Sequence, residues 1–216
     1  MAGSVPLVVI IDASGDIRRS NQVNFSLPKF VDGLSINVGK SFGETVKLGS
    51  SLTSNAGDGS NYSISYRTGG FAGTMASETL DNTGAFAGAL LNEPAASTTS
   101  KKKTTVTGLS YDISGMAKVS YTNAKAVIGT GSVKGNSFGV SVPLGAATVA
   151  FQSGTGETNA AGVAASKLKA SQIIFNYSLS KRTLAYFRQG SQAETTSTGA
   201  NAIKQNTTAF GVNHSF

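Results

Sequence analysis

Apolar and polar residues alternate along most of this chain, and no other feature of the sequence limits its fold as strongly. Val119 and Tyr121, for example, flank Ser120. Because successive side chains of a β-strand point to opposite sides, a period of two predicts a strand with one apolar and one polar face. Eleven segments carry this pattern, at residues 21–29, 33–42, 60–69, 71–80, 103–114, 117–126, 136–145, 147–154, 170–181, 182–190 and 206–216. The chain is therefore predicted to be all-β.

The links between these segments alternate between short and long. Short links are predicted at residues 28–32, 68–70, 115–116, 145–146 and 181–182, and long loops at 43–59, 81–102, 127–135, 155–169 and 191–205. Strands of about ten residues with short turns on one rim and long loops on the other are typical of a transmembrane antiparallel β-barrel. A closed barrel also pairs every backbone group within a bilayer, as an open sheet does not.

The charge content favours a barrel in a membrane over a β-domain in water. Charged residues make up 13% of the 216 residues, whereas the surface of a soluble domain usually carries about 25–35%. No run approaches the ~20 apolar residues of a membrane-spanning helix, and 26 glycines weaken helix throughout. A polar face with so little charge suits the wall of a water-filled lumen.

The residue content argues against several kinds of chemistry. The chain has no Cys and one His, so neither a metal site, a cofactor nor a catalytic residue is predicted. The stretch GLSINVGKS, at 33–41, is one residue too long between its glycines for a phosphate-binding loop. The 18 Lys and Arg residues are scattered rather than grouped with aromatic residues, which argues against nucleic acid as a partner.

Five segments resemble Gram-negative general porins of the β-proteobacterial and neisserial type. They are RRSNQVNFSLPKFVDGLSI at 18–36, GLSYDISGMAKVSY at 108–121, VSVPLGAATVAF at 140–151, FNYSLSKRTLAYF at 175–187 and the terminal FGVNHSF. The resemblance covers about residues 18–216. It implies an integral β-barrel of the outer membrane, built in that family from sixteen strands and assembled as a homotrimer, through which small hydrophilic solutes and ions diffuse without a catalytic step.

Counted back from Phe216, the predicted strands correspond to the last eleven of those sixteen. Residues 18–216 are therefore expected to form a partial porin-like β-barrel domain. Residues 1–17 are expected to form an irregular N-terminal segment or an extra strand at VPLVVII, which would bring the number to twelve.

Three cations are predicted to line the pore, namely Arg18, Arg67 and Lys118. Arg67 and Lys118 belong to the polar set of their segments. Charged groups along a pore bias which ions enter it, and the net charge of +7 predicts a preference for anions.

Aromatic residues near strand ends are predicted to lie at the membrane interface, where outer-membrane barrels carry aromatic girdles. They are Phe25, Tyr66, Tyr111, Tyr121, Tyr177 and Phe216. The sequence leaves two alternatives for the face of the strand on which Arg188 lies. If Leu184 and Tyr186 face lipid, Arg188 does too, and its long side chain would reach the interface.

The last segment alternates up to the final residue. Phe210, Val212, His214 and Phe216 lie on one side of it. The porin resemblance implies that this row, with its terminal aromatic residue, is an assembly signal recognised by the barrel-assembly machinery.

A second function is left open by the residues. A non-conducting surface β-barrel or sandwich could serve an adhesive or structural role through its long loops. Conductance distinguishes this alternative from a channel.

Overall fold

Eleven antiparallel strands form one sheet in the computed structural model, which describes residues 21–43, 46–48, 52–54, 58–81, 101–129, 131–160, 163–196 and 201–215. Each strand pairs with the next one along the sheet, so the order follows the sequence. The strands of this sheet are β1 (Gln22–Ser26), β2 (Leu34–Ser41), β5 (Gly59–Thr68), β6 (Phe71–Asp81), β7 (Lys101–Ile113), β8 (Ala117–Ile128), β9 (Gly131–Leu144), β10 (Ala147–Ala160), β11 (Val163–Ser178), β12 (Thr183–Thr196) and β13 (Asn201–His214). The all-β prediction and its eleven strands are confirmed.

Five short connections lie at one end of the sheet, called the turn end below. They join β1 to β2, β5 to β6, β7 to β8, β9 to β10 and β11 to β12, in agreement with the predicted short links. Two of them are two-residue hairpin loops that begin with Gly69 and Gly145, at φ of 50° and 64°. A positive φ at the first loop position gives a turn whose twist matches that of the paired strands.

Three of the predicted long loops are wrong. At the opposite end of the sheet, called the far end, β8 to β13 continue through most of residues 127–135, 155–169 and 191–205. Only two, two and four residues, at 129–130, 161–162 and 197–200, separate these strands. The sequence hides the extension because polar, small and apolar residues are mixed there without a regular alternation, while the backbone ladder needs no apolar alternation to continue.

The other two predicted long loops give a different result. Within residues 43–59, β3 (Val46–Leu48) and β4 (Leu52–Ser54) form a separate two-stranded hairpin. Most of the loop predicted at 81–102, namely residues 82–100, lies outside the described residues.

The two faces of the sheet differ in side-chain size and exposure. One face, called the apolar face, presents large side chains that are exposed, such as Phe25 at 59%, Leu144 at 59% and Phe210 at 84%. The five predicted interface aromatics in the described residues belong to it: Phe25, Tyr66, Tyr111, Tyr121 and Tyr177. An exposed apolar surface of this extent marks contact with a membrane or a partner, not with water.

The other face, called the polar face, carries Ser, Asn, Gln, Thr, Gly and a few charges. Most of its buried hydrophobic residues, including Val133 and Leu168, lie toward the far end, and Ile174 is buried nearer the turn end. Toward the turn end it is more open, and Ser120 and Asn176 are half-buried. The most buried part of the molecule is therefore on the side with the smaller side chains.

The edges of the sheet are β1 and β13, and in the described residues each pairs with one neighbour. The described part of the chain contains no helix long and apolar enough to span a membrane. The predicted division at residue 17 and the extra strand at 5–11 lie outside the described residues, so both stay predictions.

Candidate functional site

A cleft of about 550 Å³ opens on the polar face near the turn end. Its lining comes from β5 to β12, so side chains from eight neighbouring strands converge on one concave surface. Such convergence requires the sheet to curve toward its polar face. The charged residues among its described lining are Arg67, Lys118, Arg188 and Asp112.

The strand register places these charged residues at nearly the same distance from the turn end of the sheet. Lys118 lies opposite Asp112 on one side and opposite Ser141 on the other. The same cross-strand row continues through Ala150 and Ile174 to Arg188 on β12. Arg67 belongs to the next row toward the far end, the row that contains Ser120.

Arg188 lies on the polar face, so the condition that placed it against lipid is not met. Tyr186 and Leu184 share its side, because Tyr186 pairs with Gly211 and Asn176 of the polar face. The alternation in β12 is ambiguous because both of its faces carry apolar residues near the turn. The partners on the neighbouring strands, Gly211 and Asn176, resolve the ambiguity.

Contacts with neighbouring residues hold the Arg188 side chain against the polar face. Its guanidinium carbon lies 5.2 Å from the centre of the Tyr186 ring, within the range of a cation–π contact. Tyr186 in turn lies across Gly211, where a Cβ would be 2.7 Å from the phenol oxygen. A residue larger than Gly at 211 would therefore displace the ring that supports Arg188.

Two polar atoms beside this stack have no hydrogen-bond partner among the residues that the structure describes. They are the Nε donor of Arg188 and the Oδ1 acceptor of Asn176, both buried and both from residues that line the cleft. A buried polar group left unpaired costs free energy, and a bound water or solute oxygen would remove that cost. The arrangement offers a donor on a cation and a neutral acceptor to a small polar solute.

Uncharged side chains bond to one another along the rest of this face. Asn37 accepts a hydrogen bond from Ser26 Oγ at 2.6 Å and donates one to Ser63 Oγ at 3.2 Å. Gln172 Nε2 donates to Gln152 Oε1 at 2.5 Å across β11 and β10. The polar face therefore carries fixed, neutral hydrogen-bonding groups as well as cations.

Two acidic residues of this face, Asp112 and Glu194, differ in their surroundings. The Oδ1 atom of Asp112 accepts a hydrogen bond from the Gly115 amide at 2.7 Å. Glu194 is 2% exposed, opposite Leu168, and its Oε1 has no hydrogen-bond partner in the described part of the chain. In the part of the chain that the structure describes, no group of His, Cys, Asp or Glu could hold a metal ion.

The remaining predicted site residues fall in three places. Phe210, Val212 and His214 lie in one row on the apolar face of β13, and His214 Nδ1 is 2.9 Å from Thr183 Oγ1. Arg18 and Phe216 lie outside the described residues. The structure thus brings Arg67 and Lys118 to one cleft and adds Arg188, which the sequence did not assign.

The apolar side chains of β9 form one continuous stretch on its outward side. On β9 the outward residues Leu144, Val142, Val140 and Phe138 are apolar, and Asn136 and Lys134 follow. These four residues span about 20 Å along the strand, at ~3.4 Å per residue, or roughly 15 Å along the membrane normal at the usual tilt of a barrel strand. The apolar bands of outer-membrane barrels are ~25 Å tall and are flanked by aromatic girdles.

The comparisons with known proteins agree with this geometry. The family model for Gram-negative porins matches residues 3–214. Among curated proteins, none has a significantly similar sequence. The anion-selective porin from Comamonas acidovorans is similar in structure, with 18% identity and a TM-score of 0.74 over 96% of this chain and 64% of that one.

Two further solved structures are similar over nearly the same part of the chain. The outer-membrane channel DcaP of Acinetobacter baumannii has 11% identity and a TM-score of 0.68, over 90% of this chain and 62% of that one. OmpT of Vibrio cholerae, folded in vitro, has 13% identity and a TM-score of 0.64, over 91% and 64%. The chain thus spans slightly less than two thirds of the length of these proteins. With a family model that covers almost every residue, the chain belongs to the Gram-negative porin family of outer-membrane β-barrel proteins.

Proposed function

We propose that this chain forms the wall of a water-filled channel for passive diffusion of small hydrophilic solutes and ions across the outer membrane. The observation that carries the proposal is the inverted arrangement of the sheet. Large apolar side chains cover one face and are exposed, while the concave face carries small, polar and cationic side chains. A soluble β-domain places these two sets the other way round.

The channel is proposed to favour anions. Arg67, Lys118 and Arg188 line the cleft against one acid, Asp112, whose Oδ1 is engaged by a backbone amide. Lining cations attract anions and repel cations at close range, where screening by salt is weakest. The anion selectivity of the Comamonas acidovorans porin, a protein of similar fold, supports the same direction.

Planar-bilayer recording tests the channel. The 216-residue chain, refolded in detergent and shown to be folded by a heat-dependent shift in electrophoretic mobility, is added to a bilayer. We expect ohmic conductance steps and, in a salt gradient, a reversal potential of the sign that anion preference gives. A folded chain that produces no conductance would refute the proposal.

The remaining parts of the proposal follow from family membership and not from the described residues. The chain is proposed to act without catalysis, to assemble as a homotrimer and to be recognised by the barrel-assembly machinery. Division into an N-terminal segment, 1–17, and a partial barrel domain, 18–216, is proposed separately, from the extent of the alternating sequence pattern. The non-conducting alternative has less support, because three of the long loops on which it depends are mostly strand.

The assembly signal is proposed to be the outward row of β13 with the terminal Phe216. Phe210 and Val212 are 84% and 63% exposed at the edge of the sheet, where another protein can reach them. Deleting Phe216 is expected to lower the amount of folded protein in the outer membrane of cells, while refolding in detergent stays normal. Equal membrane levels of the deletion variant and the unaltered chain would contradict this role.

A further inference from the structure

Amide side chains are concentrated on the polar face of the first three strands of the sheet, β1, β2 and β5. Gln22 and Asn24 lie on β1, Asn37 on β2 and Asn61 on β5, and together they are called the amide cluster. Gln22 and Asn24 are exposed, and Asn37 and Asn61 are half-buried. None of the four belongs to the described lining of the cleft. The amide cluster is therefore a second polar surface on the same face of the sheet.

Gly39 lies between Asn24 and Asn61 in one cross-strand row. A Cβ at Gly39 would meet Asn24 Oδ1, and it would lie 2.7 Å from both Oδ1 and Nδ2 of Asn61. The backbone at Gly39 does not have the positive φ that would require glycine. The missing side chain therefore leaves the space in which two amides approach each other from the strands on either side of β2.

Hydrogen bonds to neighbouring residues hold the rest of the amide cluster. Gln22 Nε2 donates to Asn24 Oδ1 at 2.9 Å, and Asn37 is bonded to Ser26 and Ser63. A side-chain amide can take part in four hydrogen bonds, two as donor and two as acceptor. The two bonds of Asn37 use one donor and one acceptor position, so half of its capacity remains. The amide cluster thus offers both donors and acceptors in fixed positions.

The surroundings of the amide cluster carry little net charge. Among the described residues of this face, the register places two charged side chains nearest to it: Glu78, opposite Asn61, and Lys102 in the next row toward the far end. Their charges are opposite, and Lys102 is buried. Arg67, on the strand that carries Asn61, follows it by six residues, which is about 20 Å of strand. That distance is more than twice the screening length of ~8 Å at physiological ionic strength, so the charge of Arg67 acts weakly here.

Neutral groups that both donate and accept favour a neutral solute with hydroxyl groups. A hydroxyl donates one hydrogen bond and accepts two, so it matches an amide, whereas a fully ionised anion only accepts. Neighbouring hydroxyls of a sugar ring also project side by side, as the oxygen and nitrogen of one amide do. The rows and strands of the amide cluster cover about 10 Å by 14 Å, which is enough for two sugar rings.

We propose that the amide cluster binds a neutral sugar of one or two rings as it moves along the polar face. Asn24 and Asn61 contact the sugar from both sides of Gly39, and Gln22 and Asn37 extend the contact along the strands. The inference rests on the proposed function, because it takes the polar face to border water. It adds a class of solute that the cations of the cleft do not select.

Binding of sucrose to the refolded chain tests the proposal. Saturation-transfer difference NMR in lauryldimethylamine oxide, a detergent without a sugar head group, measures the affinity. A neutral hydrogen bond contributes about a factor of five to an affinity. The double variant Asn24→Ala with Asn61→Ala is therefore expected to bind sucrose about 25-fold more weakly. An unchanged affinity in the folded double variant, or no binding of sucrose to the folded unaltered chain, would overturn the proposal.

A matched control is available on the apolar face. Asn123 and Asn136 lie directly opposite one another there. Asn123→Ala with Asn136→Ala removes the same two amides from the outside of the sheet and is expected to change the affinity less than twofold. A loss as large as that in the double variant would overturn the proposal.

Gly39→Ala tests the geometry without removing an amide. Its Cβ would occupy the place of the amide groups of Asn24 and Asn61, which lie at the ends of flexible side chains, so the sheet is expected to fold and the amides to move. Binding of sucrose is expected to weaken roughly fivefold or more. An unchanged affinity in this folded variant would overturn the proposal, and the test holds even if the double variant does not refold.

Octa-O-methyl sucrose separates hydrogen bonding from simple occupancy of the surface. It has the same two rings without hydroxyl donors, so it is expected to bind about tenfold more weakly than sucrose. Equal binding of the two compounds would overturn the assignment to hydroxyl groups. Because the readout is binding by folded protein, a chain that binds sucrose without conducting would refute the channel alone. A chain that conducts without binding sucrose would refute the sugar site alone.

Discussion

Arg188 contributes to the polar face through its neighbours as well as through its charge. Tyr186 supports the guanidinium from one side, and Gly211 leaves the space in which that ring lies. The Nε–H group of Arg188 has no acceptor among the described residues. Packing therefore restricts the position of this cation more than that of a lysine on an open surface.

Replacing Arg67, Lys118 and Arg188 together by Gln is expected to abolish the anion preference. The change takes the described charges of the cleft lining from +2 to −1, leaving Asp112 alone. The reversal potential in a salt gradient is the measurement. The control replaces three outward lysines, Lys125, Lys134 and Lys167, by Gln, which removes the same charge from outside the lumen. A shift of equal size in both variants would show that the effect comes from net charge and not from the cleft.

Each strand of the sheet places alternate side chains on the apolar face and on the polar face. In β9, Val140 points to the apolar face and Ser141 to the polar face, one residue apart. Because the period is two, a slip of one residue in register would place every polar side chain in lipid. The register is therefore fixed by the difference between the two environments, and the free energy of that difference can be measured.

Val140→Arg is expected to destabilise the folded chain by about 2–4 kcal/mol in lipid vesicles, the cost of an arginine near the middle of the bilayer on the outside of a barrel. Ser141→Arg is the matched control, because it adds the same charge to the polar face, and it is expected to cost less than 1 kcal/mol. Unfolding by guanidinium, followed by circular dichroism, gives both values. Equal costs for the two variants would argue against the assignment of the faces.

The sequence predicts the elements better at the turn end than at the far end. Around Val119, Ser120 and Tyr121 the alternation is clear because one face meets lipid and the other meets water. Beyond Asn123 both faces are polar or buried, so the strand continues without a periodic signal. Loop predictions failed there, and the full length of β8 to β13 could not be recognised before the register was known.

The candidate site, like the strands, was predictable from the sequence only in part. Arg67 and Lys118 could be placed on the polar side because their own segments alternate. Arg188 could not, because Leu184 and Tyr186 resemble lipid-facing residues and only the partners on β11 and β13 show their side. The convergence of eight strands on one cleft depends on sheet curvature, for which the local sequence carries no signal.

The molecule as a whole is a curved sheet divided into three zones. Small polar residues and three cations line the concave face near the turn end, exposed apolar residues form a band on the opposite face, and lysines mark the far limit of that band. Membership of an outer-membrane barrel family implies hydrocarbon against the apolar band, and we propose water against the concave face. The central claim is that the concave face is the one in contact with water.

Cysteine labelling tests that claim most directly, because the chain has no cysteine of its own. The single variants Ser141→Cys and Val140→Cys place a thiol on adjacent residues of opposite faces. In lipid vesicles, a charged, water-soluble thiol reagent is expected to label the cysteine at 141 rapidly and the one at 140 hardly at all, and the first reaction should reduce conductance in a planar bilayer. Faster labelling at 140 than at 141, or equal labelling of both, would contradict the account.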